Sequence, residues 1–354
     1  MRGGEKVLES LCRLLPGADL LTLFHVPGSV TKLIEARRIR TSLLNWIPGA
    51  GRRYRQLLPL FPAIIEWFNL DDVDLVVSTS HCAAKAVVPT GRARHICYCH
   101  SPMRYAWDQF DAYFGPARVG RWRSALMRPT MAALARWDRA TAPRVHHFVA
   151  NSQFVAARIA RYYNRRASVV YPPVDTAFYT PGTAPPDPYF LVVSALVPYK
   201  RLELAIAAAE RARARLVIIG SGPDAARLRA QAGPTVEFRG ALHDADLRDA
   251  YRRATAILMP AEEDFGIVPV EAMACGRPVI ALGRGGARET VEPGLTGLLV
   301  DDASPDAFAG AMADAARRDW DPTLIRAHAE RFGVDRFETQ IRSVLADALT
   351  GASC

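Results

Sequence analysis

Pro260-Ala-Glu-Glu-Asp-Phe-Gly-Ile-Val-Pro-Val-Glu-Ala-Met-Ala-Cys-Gly-Arg-Pro-Val-Ile280 reads as one passage from strand to helix to strand. Residues 257–259 just before it are apolar and strand-like, and they lead into an acidic loop. Gly266 permits a tight turn, Pro269 suits a first helical position, Gly276 suits the helix end and Pro278 opens the next strand. The N–H groups of Phe265, Gly266 and Ile267 then face the carboxyl end of a parallel sheet, where a helix N-terminus favours phosphate and hydroxyl oxygens. Glu263 in the loop and Glu271 in the helix's first turn, with seven residues between them, can both accept from sugar hydroxyls. Without further context the commoner arrangement is blander: Glu271 complements the helix dipole and Glu263 is a solvated acid.

Working outward, short apolar runs alternate with helix-length stretches along the whole chain. Strands are expected at residues 20–24, 75–78, 95–99, 148–151 and 169–171, then at 190–193, 216–219, 236–239, 257–259, 279–282 and 297–300. Apolar strands followed by helices are the pattern of doubly wound parallel sheets, and two sets of them imply two Rossmann-like domains facing a cleft. The break lies at residues 171–188, where six prolines read as a linker without regular structure. The expected division is therefore 1–172, then 173–334, then a closing helix in 335–354 whose Phe337, Ile341, Val344, Leu345 and Leu349 recur at helical spacing.

Composition bounds the function. The chain has 354 residues, 50% hydrophobic and 23% charged, with a mean hydropathy of 0.00, which excludes a disordered chain, a coiled coil and a collagen-like chain. No apolar run approaches the roughly 18 residues of a spanning helix, and Arg2, Glu5 and Lys6 interrupt any signal-peptide core, so a cytoplasmic, soluble or peripheral protein is expected. Six cysteines without paired spacing read as reduced thiols, and Cys97-Tyr98-Cys99 is one residue too short for a zinc knuckle. Residues 1–180 hold 25 Lys and Arg against 12 Asp and Glu, net +13, whereas 181–354 hold 20 against 24, net −4. An anionic partner is expected at the first half; nucleic acid, an anionic membrane surface and a pyrophosphate-linked substrate all fit the charge.

The run Glu263-Asp-Phe-Gly-Ile-Val-Pro-Val-Glu271 resembles the Glu-x7-Glu motif of retaining GT-B glycosyltransferases of family 4. Gly3-Gly4-Glu5-Lys6, Tyr98-Cys-His-Ser-Pro-Met-Arg-Tyr-Ala-Trp-Asp108, Ala150-Asn-Ser-Gln-Phe154, Val170-Tyr-Pro-Pro-Val-Asp175 and Ser194-Ala-Leu-Val-Pro-Tyr-Lys-Arg201 extend the likeness over nearly the whole chain and are similar to the O-antigen mannosyltransferase branch. The resemblance implies that Glu271 binds the nucleotide ribose, and that Glu263 with the amides of Phe265, Gly266 and Ile267 holds donor-sugar hydroxyls. It implies that Lys200 neutralises the donor pyrophosphate, whose charge grows as it leaves. The family often has an arginine five positions before that lysine; this chain has Ala195, and Arg201 is the candidate substitute. Gly3 and Gly4 resemble a glycine loop that lets backbone approach the diphosphate, Leu242 matches a loop that contacts the base, and His100 resembles the histidine near the donor sugar. The alternative for Lys200 and Arg201 is a solvated helix face, and for His100 an ordinary strand-end histidine. His81, with Lys85 one turn later, is a candidate of the same kind facing the acceptor.

Residues 118–139 read as a basic helical region in which Arg118, Arg121, Arg123 and further arginines interleave with Trp122, Leu126 and other apolar residues. Such a face suits an anionic bilayer surface, or else a solvated face over a buried stripe. The expected activity is transfer of a sugar, mannose from GDP-mannose, to a hydroxyl of a lipid-linked oligosaccharide, with retention at the anomeric carbon, at the inner face of the cytoplasmic membrane. The nucleotide-sugar is a substrate; no cofactor, bound metal or nucleic-acid partner is expected. Two rivals are a sugar-nucleotide epimerase of the same fold and a non-enzymatic polyanion-binding protein. Because Met1-Arg-Gly-Gly-Glu-Lys6 resembles a motif that follows a strand in the family, a first strand upstream of Met1 is also expected.

Overall fold

The computed structural model describes residues 3–49 and 54–350; Met1, Arg2 and Cys354, which enter the sequence reading, lie outside them. The chain divides into two compact units, Met1–Pro173 with Asp335–Cys354, and Val174–Val334.

In the first unit, helix α1 (Gly3–Leu14) precedes β1 (Leu20–Thr22) and β2 (Ile39–Thr41), which pair in parallel as a separate two-stranded sheet. The main sheet is β3 (Leu75–Ser80), β4 (Arg94–Cys99), β5 (His147–Ala150) and β6 (Ala167–Val169), all parallel and in chain order. Between β4 and β5 runs the 20-residue helix α2 (Arg121–Ala140), and between β5 and β6 helix α3 (Gln153–Tyr163). Strand β4 is apolar on both faces, so it is buried on both. Strand β1 ends at Thr22, short of the expected residue 24, and β2 was not anticipated, because Ile39-Arg-Thr41 carries too little apolar pattern to stand out.

In the second unit all six strands are parallel: β7 (Tyr189–Val193), β8 (Arg215–Ile219), β9 (Val236–Gly240), β10 (Ala256–Met259), β11 (Val279–Leu282) and β12 (Gly297–Val300). The sheet order is β12-β11-β10-β7-β8-β9, so the winding reverses between β7 and β10. Ligands of open α/β sheets bind outside the carboxyl ends of strands at such a reversal. Helices α4 (Leu202–Arg211), α5 (Asp244–Arg253) and α6 (Ile267–Ala274) lie in crossovers, and α7 (Pro305–Arg317) follows the last strand. One face of the sheet buries Val192, Ile218, Leu258 and Ile280 against Leu204 and Ile206 of α4 and Phe308 and Met312 of α7.

The closing helix α8 (Val334–Thr350) packs in the first unit, where Phe337, Ile341 and Leu345 bury against Val7 and Leu11 of α1 and Tyr98, Val149 and Val170. Residues 171–188 form neither helix nor strand, yet they are not a loose linker. Their carbonyls, which prolines leave without ladder partners, accept from arginines of the second unit: Arg326 Nη1 donates to Tyr179 O at 3.0 Å, Arg326 Nη2 to Thr176 O at 3.1 Å and Arg252 Nε to Thr180 O at 2.7 Å.

Candidate functional site

In the second unit the reversal point gathers the charged candidates. Lys200 closes a short 3-10 turn after β7, and Glu263 lies in the loop after β10. The Lys200 ammonium pairs directly with Glu263 Oε1, and both side chains keep some exposure, 21% and 15%. Glu263 is held by its backbone as well: its carbonyl accepts from Gly286 N at 2.8 Å across the turn that follows β11. Gly285, at φ +61°, makes that approach possible, since a Cβ there would lie 2.3 Å from Glu263 O. The sequence reading missed this Gly283-Arg-Gly-Gly286 turn; glycines bunched directly after a strand were the available signal.

Helix α6 starts after Gly266, whose φ of +87° few other residues tolerate. Pro269 is its third residue rather than its first, and Glu271 sits in the second turn rather than the first. Dipole compensation falls off within the first turn, so it does not explain this carboxylate. Glu271 is 8% exposed and accepts from Tyr251 Oη at 2.9 Å. Phe265 is buried, with its ring edge-on to Phe332 at 5.6 Å, so this residue can meet a ligand only through its backbone; Ile267 is half-buried. Leu242, half-buried, follows β9 at the same edge of the sheet. Arg201 takes a left-handed conformation at the start of α4 and donates to Ala303 O at 3.3 Å; it is not paired with Glu263 as Lys200 is.

In the first unit His81 and His100 follow β3 and β4 at the carboxyl edge. Burial pushes the His100 imidazole down to about 3, and the neighbouring His81 acts in the same direction. His100 is thus a neutral hydrogen-bonding group at ordinary pH. Asn151 Nδ2 donates to its carbonyl at 3.0 Å. Gly3 and Gly4 are the first two residues of α1 and not a loop, and a Cβ on Gly4 would lie 3.3 Å from His100 Nε2, so the glycine leaves the imidazole its space. This brings a helix N-terminus beside a neutral histidine, an arrangement able to receive an anion and orient a hydroxyl.

Lys85 does not face any acceptor. It is 1% exposed, lies 3.0 Å from Asp138 Oδ1 and donates to Thr141 Oγ1 at 2.9 Å; Asp138 Oδ2 also accepts from Trp107 Nε1 and Tyr163 Oη, each at 2.8 Å. A charge so buried persists only when paired and hydrogen-bonded, and this network ties α2 to α3 and to the segment after His100. Arg118 lies in the separate short helix Pro116–Val119, because Gly120 at φ +83° breaks the run. Arg118, Arg121 and Arg123 are exposed, as are Trp122 (91%) and Leu126 (73%), while the small Ser124 turns inward.

Among the described residues no group of three or more His, Cys, Asp or Glu side chains is placed to hold a metal ion, and no helix is long and apolar enough to cross a membrane. The family described as Glycosyltransferase Family 4 matches residues 1–178, and the one described as Glycosyl transferases group 1 matches residues 187–318. Proteins of this group generally need no cofactor, the nucleotide-sugar being a substrate. The D-inositol 3-phosphate glycosyltransferase of Acidothermus cellulolyticus is 36% identical over 218 residues, 52% of this chain and 48% of that protein. Its counterpart in Streptomyces bingchenggensis is 30% identical over 244 residues, 57% of this chain and 53% of that protein. The chain thus spans about half the length of the curated relatives it matches. Among solved structures, sucrose-phosphate synthase from Thermosynechococcus elongatus aligns over 98% of this chain and 92% of its own with a TM-score of 0.71 at 20% identity. Anabaena HepE in complex with UDP aligns over 98% and 96% with a TM-score of 0.65 at 19% identity. Such identities speak to fold alone, and the fold is GT-B: two parallel-sheet α/β units. With one family spanning half the chain and its companion most of the remainder, this chain belongs to glycosyltransferase family 4.

Proposed function

We propose that the chain is a retaining hexosyltransferase that moves mannose from GDP-mannose to a hydroxyl of a lipid-linked glycan in cell-surface polysaccharide or O-antigen assembly. The observation that supports it most is the Lys200–Glu263 pair at the winding reversal of the second unit, with Glu271 in the second turn of the helix that follows the Glu263 loop. A cation and two carboxylates there suit a nucleoside diphosphate joined to a polyhydroxylated ring. Glu271 accepts from the ribose, Glu263 and the Phe265–Ile267 amides bind sugar hydroxyls, and Lys200 meets the leaving diphosphate. On donor binding the ammonium exchanges its carboxylate partner for phosphate oxygens, whose charge grows as the anomeric C–O bond breaks. The new glycosidic bond forms on the face the diphosphate leaves, and the acceptor hydroxyl's proton passes to a departing phosphate oxygen. His100, neutral, offers a hydrogen bond to a sugar hydroxyl at the carboxyl edge of the first unit's sheet. The exposed basic and apolar face of α2 receives the anionic membrane surface that carries the acceptor, at the inner face of the cytoplasmic membrane.

A panel of GDP- and UDP-hexoses, alone and with inositol 3-phosphate or polyprenyl-linked sugar, tests the reading by NMR of the products. Slow release or transfer of a sugar with retained configuration supports it. Inversion at C2 of the bound sugar identifies an epimerase instead, and inertness toward every donor identifies a binding protein.

A further inference from the structure

The Glu271 carboxylate stands beside two tyrosines that the sequence reading did not single out. Tyr251, near the end of α5, is fully buried and donates to Glu271 Oε2 at 2.9 Å. Tyr179, 3% exposed, has its phenol within the field of the same carboxylate, and its ring meets that of Tyr251 edge-on at 5.8 Å. The two phenols arrive by independent routes. Tyr251 is carried by a helix, whereas Tyr179 belongs to the proline-rich segment that Arg326 and Arg252 strap to the second unit through Thr176, Tyr179 and Thr180. Burial, and after it the negative charge of Glu271, hold both phenols well above the ordinary tyrosine range, so both remain donors at any working pH. A carboxylate offers about four acceptor sites, and the slight exposure of Glu271 is where a ligand reaches it. Burying a carboxylate is costly unless donors compensate it, and a donor fixed on a buried ring also restricts its rotation.

We propose that Tyr251 and Tyr179 are positioning residues for donor binding, whose hydroxyls hold the Glu271 carboxylate in the orientation that accepts from the nucleotide ribose. This rests on the ribose role proposed for Glu271 above. A preorganised acceptor loses little freedom when the ligand arrives, so removing a phenol hydroxyl weakens recognition of the ribose and leaves the rest of the nucleotide alone.

Calorimetric titration of GDP, UDP and their 2′,3′-dideoxy counterparts against the wild-type chain, Glu271→Ala, Tyr251→Phe and Tyr179→Phe tests this, with melting curves confirming that each variant folds. The expected result is that the wild-type chain prefers a ribonucleotide over its dideoxy form and Glu271→Ala abolishes that preference. Each Tyr→Phe variant should then reduce it roughly three- to tenfold while binding the dideoxy form as the wild type does. In turnover the Tyr→Phe variants should raise donor KM and leave kcat unchanged. If Glu271→Ala abolishes the preference and both Tyr→Phe variants keep it, the positioning role is wrong and the ribose role stands. If Glu271→Ala keeps the preference, or neither nucleotide binds, the ribose role fails and the inference with it.

Discussion

His95 sets out what burial does to a single side chain in this molecule. It is fully buried in β4, with Nε2 2.8 Å from Ser78 Oγ and Nδ1 3.1 Å from Arg144 O, and burial pushes its imidazole down from 6.5 to about 4. The unfolded chain therefore takes up a proton at a pH where the folded chain does not. Stability from this residue is complete above about pH 6.5 and declines as pH falls toward 4. A His95→Gln variant should show a shallower loss of melting temperature between pH 6.5 and 4, though His100 leaves part of the slope in place. Parallel slopes in the two proteins would refute this. Glu263, Glu271 and Lys200 stand out as charged candidates because they sit in short ordered motifs. Lys85 was misread because its one-turn spacing from His81 suggested a shared surface, whereas its partner Asp138 lies 53 residues away and only the tertiary fold brings it in. Tyr251 and Tyr179 were illegible for the same reason: their shared target is a contact, and no spacing announces it.

At the scale of elements, α2 is the exception to the usual division of faces. Its inward stripe, Ser124, Met131, Leu134, Ala135 and Asp138, carries a serine and a carboxylate, while Trp122 and Leu126 project outward among Arg121, Arg123 and Arg128. A solvated helix keeps its largest apolar groups inside, so the sequence alone left this region poised between a covered stripe and an interfacial one. Basic residues around exposed tryptophan and leucine complement an anionic interface. The chain should therefore bind vesicles containing phosphatidylglycerol, and bind less as salt is raised, since surface charges are screened over about 8 Å at physiological ionic strength. Replacing Arg118, Arg121 and Arg123 together by Gln should weaken binding roughly a hundredfold, at about 1 kcal/mol per basic residue. Equal partition onto neutral and anionic vesicles would speak against the face. Residues 171–188 hold the opposite lesson. Prolines announced a break in regular structure, and the break is real, but the arginines that pin its carbonyls come from 252 and 326 and were invisible locally.

At the scale of the whole molecule, the alternation of apolar strands and helices was enough to read both parallel sheets. All six strands of the second unit lie within a residue of where the sequence placed them; the central β7, β8, β10 and β11 are nearly wholly buried and apolar, whereas the edge strand β9 keeps Glu237 and Arg239. The first unit was less legible: β1 and β2 are three residues each and half exposed, and they pair apart from β3–β6. The charge divides as the units do, with the positive excess before residue 180 and the charged donor candidates Lys200, Glu263 and Glu271 after it. The central claim is that Lys200 stabilises a leaving diphosphate while Glu271 binds the nucleotide in ground and transition states alike. Steady-state kinetics of donor consumption for the wild type, Lys200→Ala and Glu271→Ala, each checked for an unchanged melt, test it most directly. The account predicts that Lys200→Ala loses roughly 10²–10³ in kcat with little change in donor KM, and that Glu271→Ala raises donor KM about tenfold or more with kcat nearly kept. A Lys200→Ala enzyme that turns over as fast as the wild type would contradict it.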